Sequence, residues 1–326
     1  MSQPTAAPPR VAPAPEPAPG GIRSWSPGPR LLRAATGATA TSLGLIVVTG
    51  GGVRLSDSGL GCPTWPRCVN SQVGSFANIH ASIEFGNRLV TVAVTILIGV
   101  TTVLTFRTRE RRPDLRALAV GLVLGVLGDA VIGGLTVRFH LPPLLVAVHF
   151  LFSMLLLAIG LLLHTKAGRA APSASVPVGT ATPAVLWISR ALVLSAGLVL
   201  CVGTLVTGTG PHSGGGHHPR LGLGLARISQ AHADTAMLLT GLVLAAFIVS
   251  RATPVPALWR RRIGWLALAV AGQATIGWIQ YAEGLPAALV LVHVAGATLV
   301  WTLAVAGLLA CREPAATASE VALTSP

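Results

Sequence analysis

Three histidines and one carboxylate stand in this chain where such side chains are costly. His149 and His293 each follow a helix-starting proline by six or seven residues, in "LPPLLVAVH" and "LPAALVLVH", and His232 lies in "ISQAHADT" near the start of another apolar run. At 1.5 Å per helical residue, His149 and His293 sit about 9–10 Å below the ends of the helices those prolines begin. Glu84 occupies "HASIEFGNRLV", residues 80–90, which continues as "TVAVTILIGVTTVL". Imidazole nitrogens ligate metals, and a carboxylate can accept a proton or position water. Ionisable groups inside apolar spans are rare and usually functional. The bland alternatives are a hydrogen-bonded core histidine and a neutral acid bonded to a backbone carbonyl.

The elements that must position these residues read as membrane helices. Of 326 residues, 52% are hydrophobic and only 10% charged, which excludes a soluble protein. A span needs about 20 apolar residues, and eight such runs occur, at 34–53, 82–105, 117–137, 143–164, 183–208, 227–250, 262–281 and 285–310. The expected fold is an all-α membrane protein, with eight transmembrane helices as two tandem four-helix bundles related by pseudo-two-fold symmetry. The net charge of +13 does not indicate nucleic acid, because the basic residues alternate between loops as orientation in a membrane requires. Placing the N-terminus inside puts 17 of the 23 Lys and Arg on the inner side. The expectation is a multi-pass protein of the plasma membrane with both termini cytoplasmic. One Lys among 22 Arg suggests a GC-rich bacterial genome.

Residues 1–33 form a Pro/Ala-rich cytoplasmic tail with too little apolar surface to fold, expected to be disordered and not a cleaved signal peptide. The N-terminal unit spans 34–164, a cytoplasmic linker 165–182, the C-terminal unit 183–310, and a second tail 311–326.

An internal repeat sets the two units in register. "GDAVIGGLTVRFHLPPLLVAVH" (128–149) aligns without a gap on "GQATIGWIQYAEGLPAALVLVH" (272–293), with ten of 22 positions identical. Gly133, Pro142 and His149 thereby fall on Gly277, Pro286 and His293. The first and fifth helices also end alike, in "VVTGGGVRLSDSG" and "LVTGTGPHSGG". Units with an even number of helices enter the membrane in the same orientation, so equivalent residues share one depth. Nearly the same offset lays "IEFGNRL" over "ISQAHAD" and puts Asn87 where the other unit has His232.

Two histidines on facing helices of a four-helix bundle can hold a b-type heme, one nitrogen on each side of the iron. His232 and His293 are such a pair. The first unit offers His149 with Asn87 opposite, and an amide is a poor iron ligand. His80 shares the helix face of Glu84 and Asn87 but lies about 10 Å higher than Asn87. It reads as a propionate contact or a residue lining the mouth, and otherwise as an axial ligand. Arg88 is a candidate for a heme propionate, with snorkelling to the surface as its alternative. Asp129 reads as a polar helix contact, and Asp234 as orienting a neighbour.

Cys62 and Cys68 share the loop "GCPTWPRC", where prolines bend the chain and a disulfide is allowed on an oxidising side. Two free thiols, or part of a metal site, are the alternatives. Cys201 and Cys311 read as small core residues. The loop histidines His212, His217 and His218 sit among glycines and read as a solvated cap or docking surface.

Taken together, these residues resemble the heme A synthase family, over roughly 34–310. The likeness rests on eight helices in two repeated bundles, the "GLGCPTWPRC" loop, the "IE" of the second helix, and histidines in "AVHF" and "LVHV". The resemblance implies oxidation of a ring methyl of heme O to a formyl group, giving heme A for terminal oxidases. It implies heme b on His232 and His293, with substrate heme O in the N-terminal unit. There His149 would be the iron ligand and Glu84 the acid needed for turnover, and Cys62 and Cys68 would form the outer-loop disulfide. Heme O synthase and cytochrome oxidase assembly factors are the implied partners, beside membrane lipid. The chain departs from the family pattern at Asn87, where a histidine is expected, at Ala233, where an Arg is common, and in lacking a second outer-loop Cys pair. Two other functions fit part of the pattern. A b-type cytochrome carrying electrons would explain the histidines but not Glu84, and a parallel-repeat transporter would explain Glu84 but not His232 and His293.

Overall fold

The computed structural model describes residues 25–62, 64–68, 78–169, 182–213 and 220–311. These form eight helices: α1 (Pro29–Leu55), α2 (Ile79–Phe106), α3 (Pro113–Arg138), α4 (Pro143–Ala167), α5 (Pro183–Thr209), α6 (Leu225–Ala252), α7 (Ala257–Ala282) and α8 (Ala287–Ala310). All eight are long and apolar enough to cross a membrane, at 24 to 28 residues. The protein is a multi-pass membrane protein. The two expected tails, apart from residues 25–33 and 311, and most of the linker lie outside the described residues.

Local chemistry accounts for the helix starts. Proline stands in the first turn of α1, α3, α4 and α5, where its missing N–H costs nothing and its φ suits a helix. α1 therefore opens at Pro29, ahead of the apolar run beginning at 34. α2 starts instead at a side-chain cap, with Asn78 accepting from the Ala81 N–H at 3.0 Å.

α1 to α4 pack in a ring, and α5 to α8 pack in a second. The buried positions of the rings correspond. Leu32, Thr36, Thr39, Leu43 and Val47 of α1 fall on Val185, Ser189, Leu192, Ala196 and Leu200 of α5, a constant offset of 153. Val94, Ile98, Thr101 and Thr105 of α2 fall on Leu239, Val243, Ala246 and Ser250 of α6, an offset of 145. Leu115, Ala119, Leu122 and Val126 of α3 fall on Trp259, Ile263, Leu266 and Val270 of α7, an offset of 144. The α1–α5 offset corrects one sequence expectation. Matching "VVTGGG" to "LVTGTG" would need 158, so that likeness is out of register by more than a turn, and the burial offset pairs Gly50 with Gly203.

The α3–α4 and α7–α8 turns are built alike. The Leu141 N–H reaches back to the Thr136 carbonyl, and the Leu285 N–H to that of Gln280, each at 2.7 Å, the long bond of a Schellman ending. Both turns need left-handed backbone at consecutive residues, His140 and Leu141 in one, Gly284 and Leu285 in the other. Each is followed by the proline that stops the chain from continuing the helix. His149 and His293 are thus counted from identical turns.

The rings meet along α1, α4, α5 and α8. Trp301 of α8 packs against the cores of both, and its indole N–H donates to the Met154 carbonyl at 2.9 Å. At the other end of α4, Arg169 donates to the Leu309 carbonyl at 2.9 Å. Outward-facing Leu, Val and Ile side chains such as Ile96, Leu124, Leu194 and Leu268 are more than half exposed, which is what a lipid-facing surface requires. Replacing Trp301 with Ala should cost about 3–5 kcal/mol. Thermal unfolding in detergent should show one lowered transition for both rings, not two separated ones.

Candidate functional site

In the second ring, α6 and α8 bring His232 and His293 together, with ring centroids 6.3 Å apart and planes inclined at 66°. Each imidazole lies against a glycine of the preceding helix. A Cβ on Gly203 would stand 3.1 Å from Cε1 of His232, and one on Gly277 would stand 3.2 Å from Cε1 of His293. A side chain at either position would press on the ring, which would have to give by a few tenths of an ångström. Nδ1 of both histidines is buried on the glycine side without a hydrogen bond of ordinary geometry, His232 having the Val199 carbonyl nearby, and Nε2, the nitrogen farther from the glycine, is the one left for a ligand. Two metal–nitrogen bonds of about 2 Å each, with half a ring on either side, span about 6 Å. Among the described residues no third His, Cys, Asp or Glu completes a cluster. Two nitrogens from opposite sides suit an iron that brings its own four in a porphyrin.

The equivalent place in the first ring is built differently. His149 also rests on a glycine, Gly133, with a hypothetical Cβ 3.1 Å from Cε1. Its Nδ1, however, is 2.8 Å from Oδ1 of Asp129. Ser153 donates to Oδ2 of the same carboxylate at 2.5 Å and to the His149 carbonyl at 3.0 Å. With the carboxylate accepting, Nδ1 holds the ring proton and Nε2 keeps a lone pair for a ligand. Asp129 therefore orients a candidate ligand and is more than a helix contact. The sequence held part of the signal: Asp129 is one turn before Gly133, the glycine on which His149 rests. Gln273 replaces Asp129 in the second ring and donates to the His293 carbonyl at 2.6 Å, not to its imidazole.

Asn87 faces α1, where Thr49 donates to its Oδ1 at 2.9 Å. Gly50, the burial equivalent of Gly203, has no atom within 4 Å of where its Cβ would be. The glycine notch exists in both rings, and only the second is filled by an imidazole. A cleft of about 440 Å³ opens beside it between α1 and α2, lined by Thr49, Gly52, Ile83, Gly86 and Asn87 among others.

Glu84 is 5% exposed and ties the Cys62–Cys68 loop to α2. The Cys62 N–H donates to its Oε2 at 2.7 Å, and Arg88 pairs with Oε1. Both oxygens accept, so the neutral acid bonded to a carbonyl is not what forms. Arg88 also donates to the Thr64 carbonyl at 2.8 Å and the Pro66 carbonyl at 3.3 Å, a clamp in place of an open guanidinium. Cys62 and Cys68 are joined by a disulfide. Trp65 lies on Gly134, where a Cβ would overlap its indole. Gly134 adjoins the glycine under His149, so the loop connects the carboxylate of α2 to the histidine level of α3 and α4.

His80 stands at the start of α2, exposed, with Nδ1 3.0 Å from the Ser58 hydroxyl. It is two turns from Asn87. Cys201 is exposed on α5, contrary to its reading as a core residue, because its position faces away from the ring; Cys311 is buried against Ser189. His212 pins the end of α5 to the α7–α8 turn through the Leu285 carbonyl at 2.9 Å. His217 and His218 lie outside the described residues. Asp234 accepts from Gln230 on an exposed helix face at 2.8 Å.

The sequence pattern of the cytochrome oxidase assembly protein family (COX15-CtaA) matches residues 34–212, more than half of the chain. The chain belongs to the cytochrome oxidase assembly protein family. It is similar to the heme A synthase of Lysinibacillus sphaericus, at 31% identity over 178 residues, 53% of this chain and 57% of that protein. It is also similar to the heme A synthase of Symbiobacterium thermophilum, at 32% over 141 residues, 43% of this chain and 46% of that one. A third, from Shouchella clausii, is 34% identical over 118 residues, 35% of this chain and 39% of that one. The chain thus spans about half the length, or less, of the curated relatives it matches. Within this cytochrome oxidase assembly protein, the family match takes in the first ring from residue 34 of α1 onward, and α5.

Glu84→Ala should free the loop before it disturbs the helices. Losing a charge-assisted bond to a buried amide should speed hydrogen exchange at Cys62 about tenfold or more, with exchange in α5 to α8 unchanged.

Proposed function

We propose that the protein is a heme A synthase, oxidising a ring methyl of heme O to the formyl group of heme A. The observation that carries this reading is the unequal pair of donor sets at repeat-equivalent places. The second ring presents two opposed imidazoles, His232 and His293, as a permanent cofactor needs. The first presents one oriented imidazole, His149, with an amide opposite and a carboxylate close by in the fold, as suits a substrate that arrives, reacts and leaves. The relatives named heme A synthase support the same reading.

Heme b would be held by His232 and His293, supplying reversible one-electron chemistry when bound. His149 would hold heme O, with Asp129 and Ser153 fixing its tautomer and heading. Asn87, bound to Thr49, leaves the opposite side without a strong donor. Glu84 is the proposed catalytic acid or base, kept in place by the Cys62 N–H and Arg88 so that it can take up protons released as an external electron acceptor oxidises the methyl and an oxygen is added. Trp65 and the disulfide-closed loop limit water at this end. In this arrangement His80 lines the mouth. The two units are related by a pseudo-two-fold axis along the membrane normal. The loop end faces outward from a bacterial plasma membrane, and both termini are cytoplasmic. Heme O synthase and cytochrome oxidase assembly factors are the expected partners for delivery and removal.

The test is co-expression with a source of heme O, followed by extraction of the hemes. His232→Ala or His293→Ala should remove the stable low-spin heme. Glu84→Gln should leave that heme bound and lower heme A to the detection limit; full conversion by this variant would refute the mechanism. A protein that binds heme and never forms heme A would instead be an electron carrier, and one that binds no heme would be a transporter.

The open notch at Gly50 makes a second prediction. Asn87→His should be accepted without steric cost. It should convert the first unit's heme to a low-spin, two-imidazole visible spectrum while heme A is still formed, since the family pattern carries a histidine at this position.

A further inference from the structure

Arg54 lies in the last turn of α1, and two of its guanidinium nitrogens, Nε and Nη2, are buried with no hydrogen-bond partner. None of the ion pairs among the described residues includes it. A buried guanidinium without an anion is strongly disfavoured, and more so in a membrane span. The other basic residue close to this site, Arg88, is already committed to Glu84 and two loop carbonyls.

The position of Arg54 indicates what is missing. Leu43, Val47, Gly50 and Arg54 recur at spacings of four, three and four, so Arg54 continues the ring-facing stripe of α1. Gly50 marks a level, since its burial equivalent Gly203 is the glycine that His232 rests on. Arg54 is four residues further, about 6 Å toward the loop end. A heme ligated at the glycine level has two propionates leaving one edge of its ring, and a guanidinium one turn away meets a carboxylate there. The second ring has no counterpart: the residue equivalent to Arg54 is Thr207, whose hydroxyl is satisfied by the Gly203 carbonyl at 2.9 Å.

We infer that Arg54 binds a propionate carboxylate of the heme held in the first unit, using its two free N–H groups as a fork. This rests on the proposed reading that the first unit holds a heme substrate through His149. The site selects for a free acid at one edge of the macrocycle and orients the ring, so that one methyl is presented to Glu84. Guanidinium and carboxylate match in planarity and spacing, which a Lys would reproduce only as a point charge.

The experiment uses the full-length protein in detergent with the second unit already filled, titrated with protoheme or with its dimethyl ester. The first unit's signal is the binding lost in His149→Ala. The wild type should bind the free acid about tenfold or more tightly than the diester. Arg54→Gln should bind both at the diester's level, and Arg54→Lys should recover part of the difference. An unchanged second-unit spectrum marks a folded variant. Should Arg54→Gln lose that spectrum, the decision passes to the wild-type comparison and Arg54→Lys. Equal binding of acid and diester by the wild type, or undiminished preference in Arg54→Gln, would overturn the assignment and leave the heme A synthase reading standing. Absence of any His149-dependent binding in the wild type would overturn both.

Discussion

The contact between an imidazole and a glycine on the next helix governs this structure. Gly133, Gly203 and Gly277 each receive a histidine ring at a distance no Cβ would allow comfortably. Without those three absences of a side chain, neighbouring helices would be forced apart or the rings would be pushed toward lipid. The glycines fix the spacing of the helices, the level of the histidines and the direction in which the rings point. A fourth example shows that the contact alone does not make a ligand. His164 sits over Gly37 near the opposite end of the bundle, but its Nδ1 is satisfied by Thr36 at 3.1 Å. What separates His232 and His293 is that the same packing brings the two rings together, with centroids 6.3 Å apart.

Most polar groups elsewhere are paired, as apolar surroundings favour. Thr39 pairs with Thr101 at 2.9 Å between α1 and α2, and Trp259 donates to Ser189 at 2.8 Å. At the end away from the disulfide loop, Arg112 and Lys166 converge on Asp114. Exceptions remain at both ends and in the middle, among them Arg116 Nε near the start of α3 and Ser195 Oγ within α5. Unsatisfied atoms of His232, His293 and Arg54 all lie toward the loop end of their helices.

Much of this was legible in the sequence, because lipid imposes a simple grammar. Helix number and bounds follow from apolar length and from prolines, and the α3–α4 and α7–α8 repeat could be read directly because the turn needs the same residues twice. The pairing of His232 with His293 followed from it. Less legible were contacts made across the ring by short polar side chains. Asp129 read as a polar helix contact because its repeat mate is Gln273, yet Asp129 bonds the imidazole of His149 whereas Gln273 bonds the backbone carbonyl of His293. Arg88 read as a propionate contact or a snorkelling cation, and only the path of the loop shows it bound to Glu84 and two loop carbonyls. The α1–α5 register was misleading for a related reason. Similar glycine-rich endings recur wherever a helix must stop beside a loop, whereas burial is fixed by the neighbours and picks out a different offset.

The indole of Trp301 lies in both cores and is bonded to the backbone of the other half. Machines that rock one half against the other keep a slippery seam between them, usually of small residues. Here the seam is plugged by the largest side chain available and stitched by a hydrogen bond. Sliding one half past the other would break that bond and expose the indole.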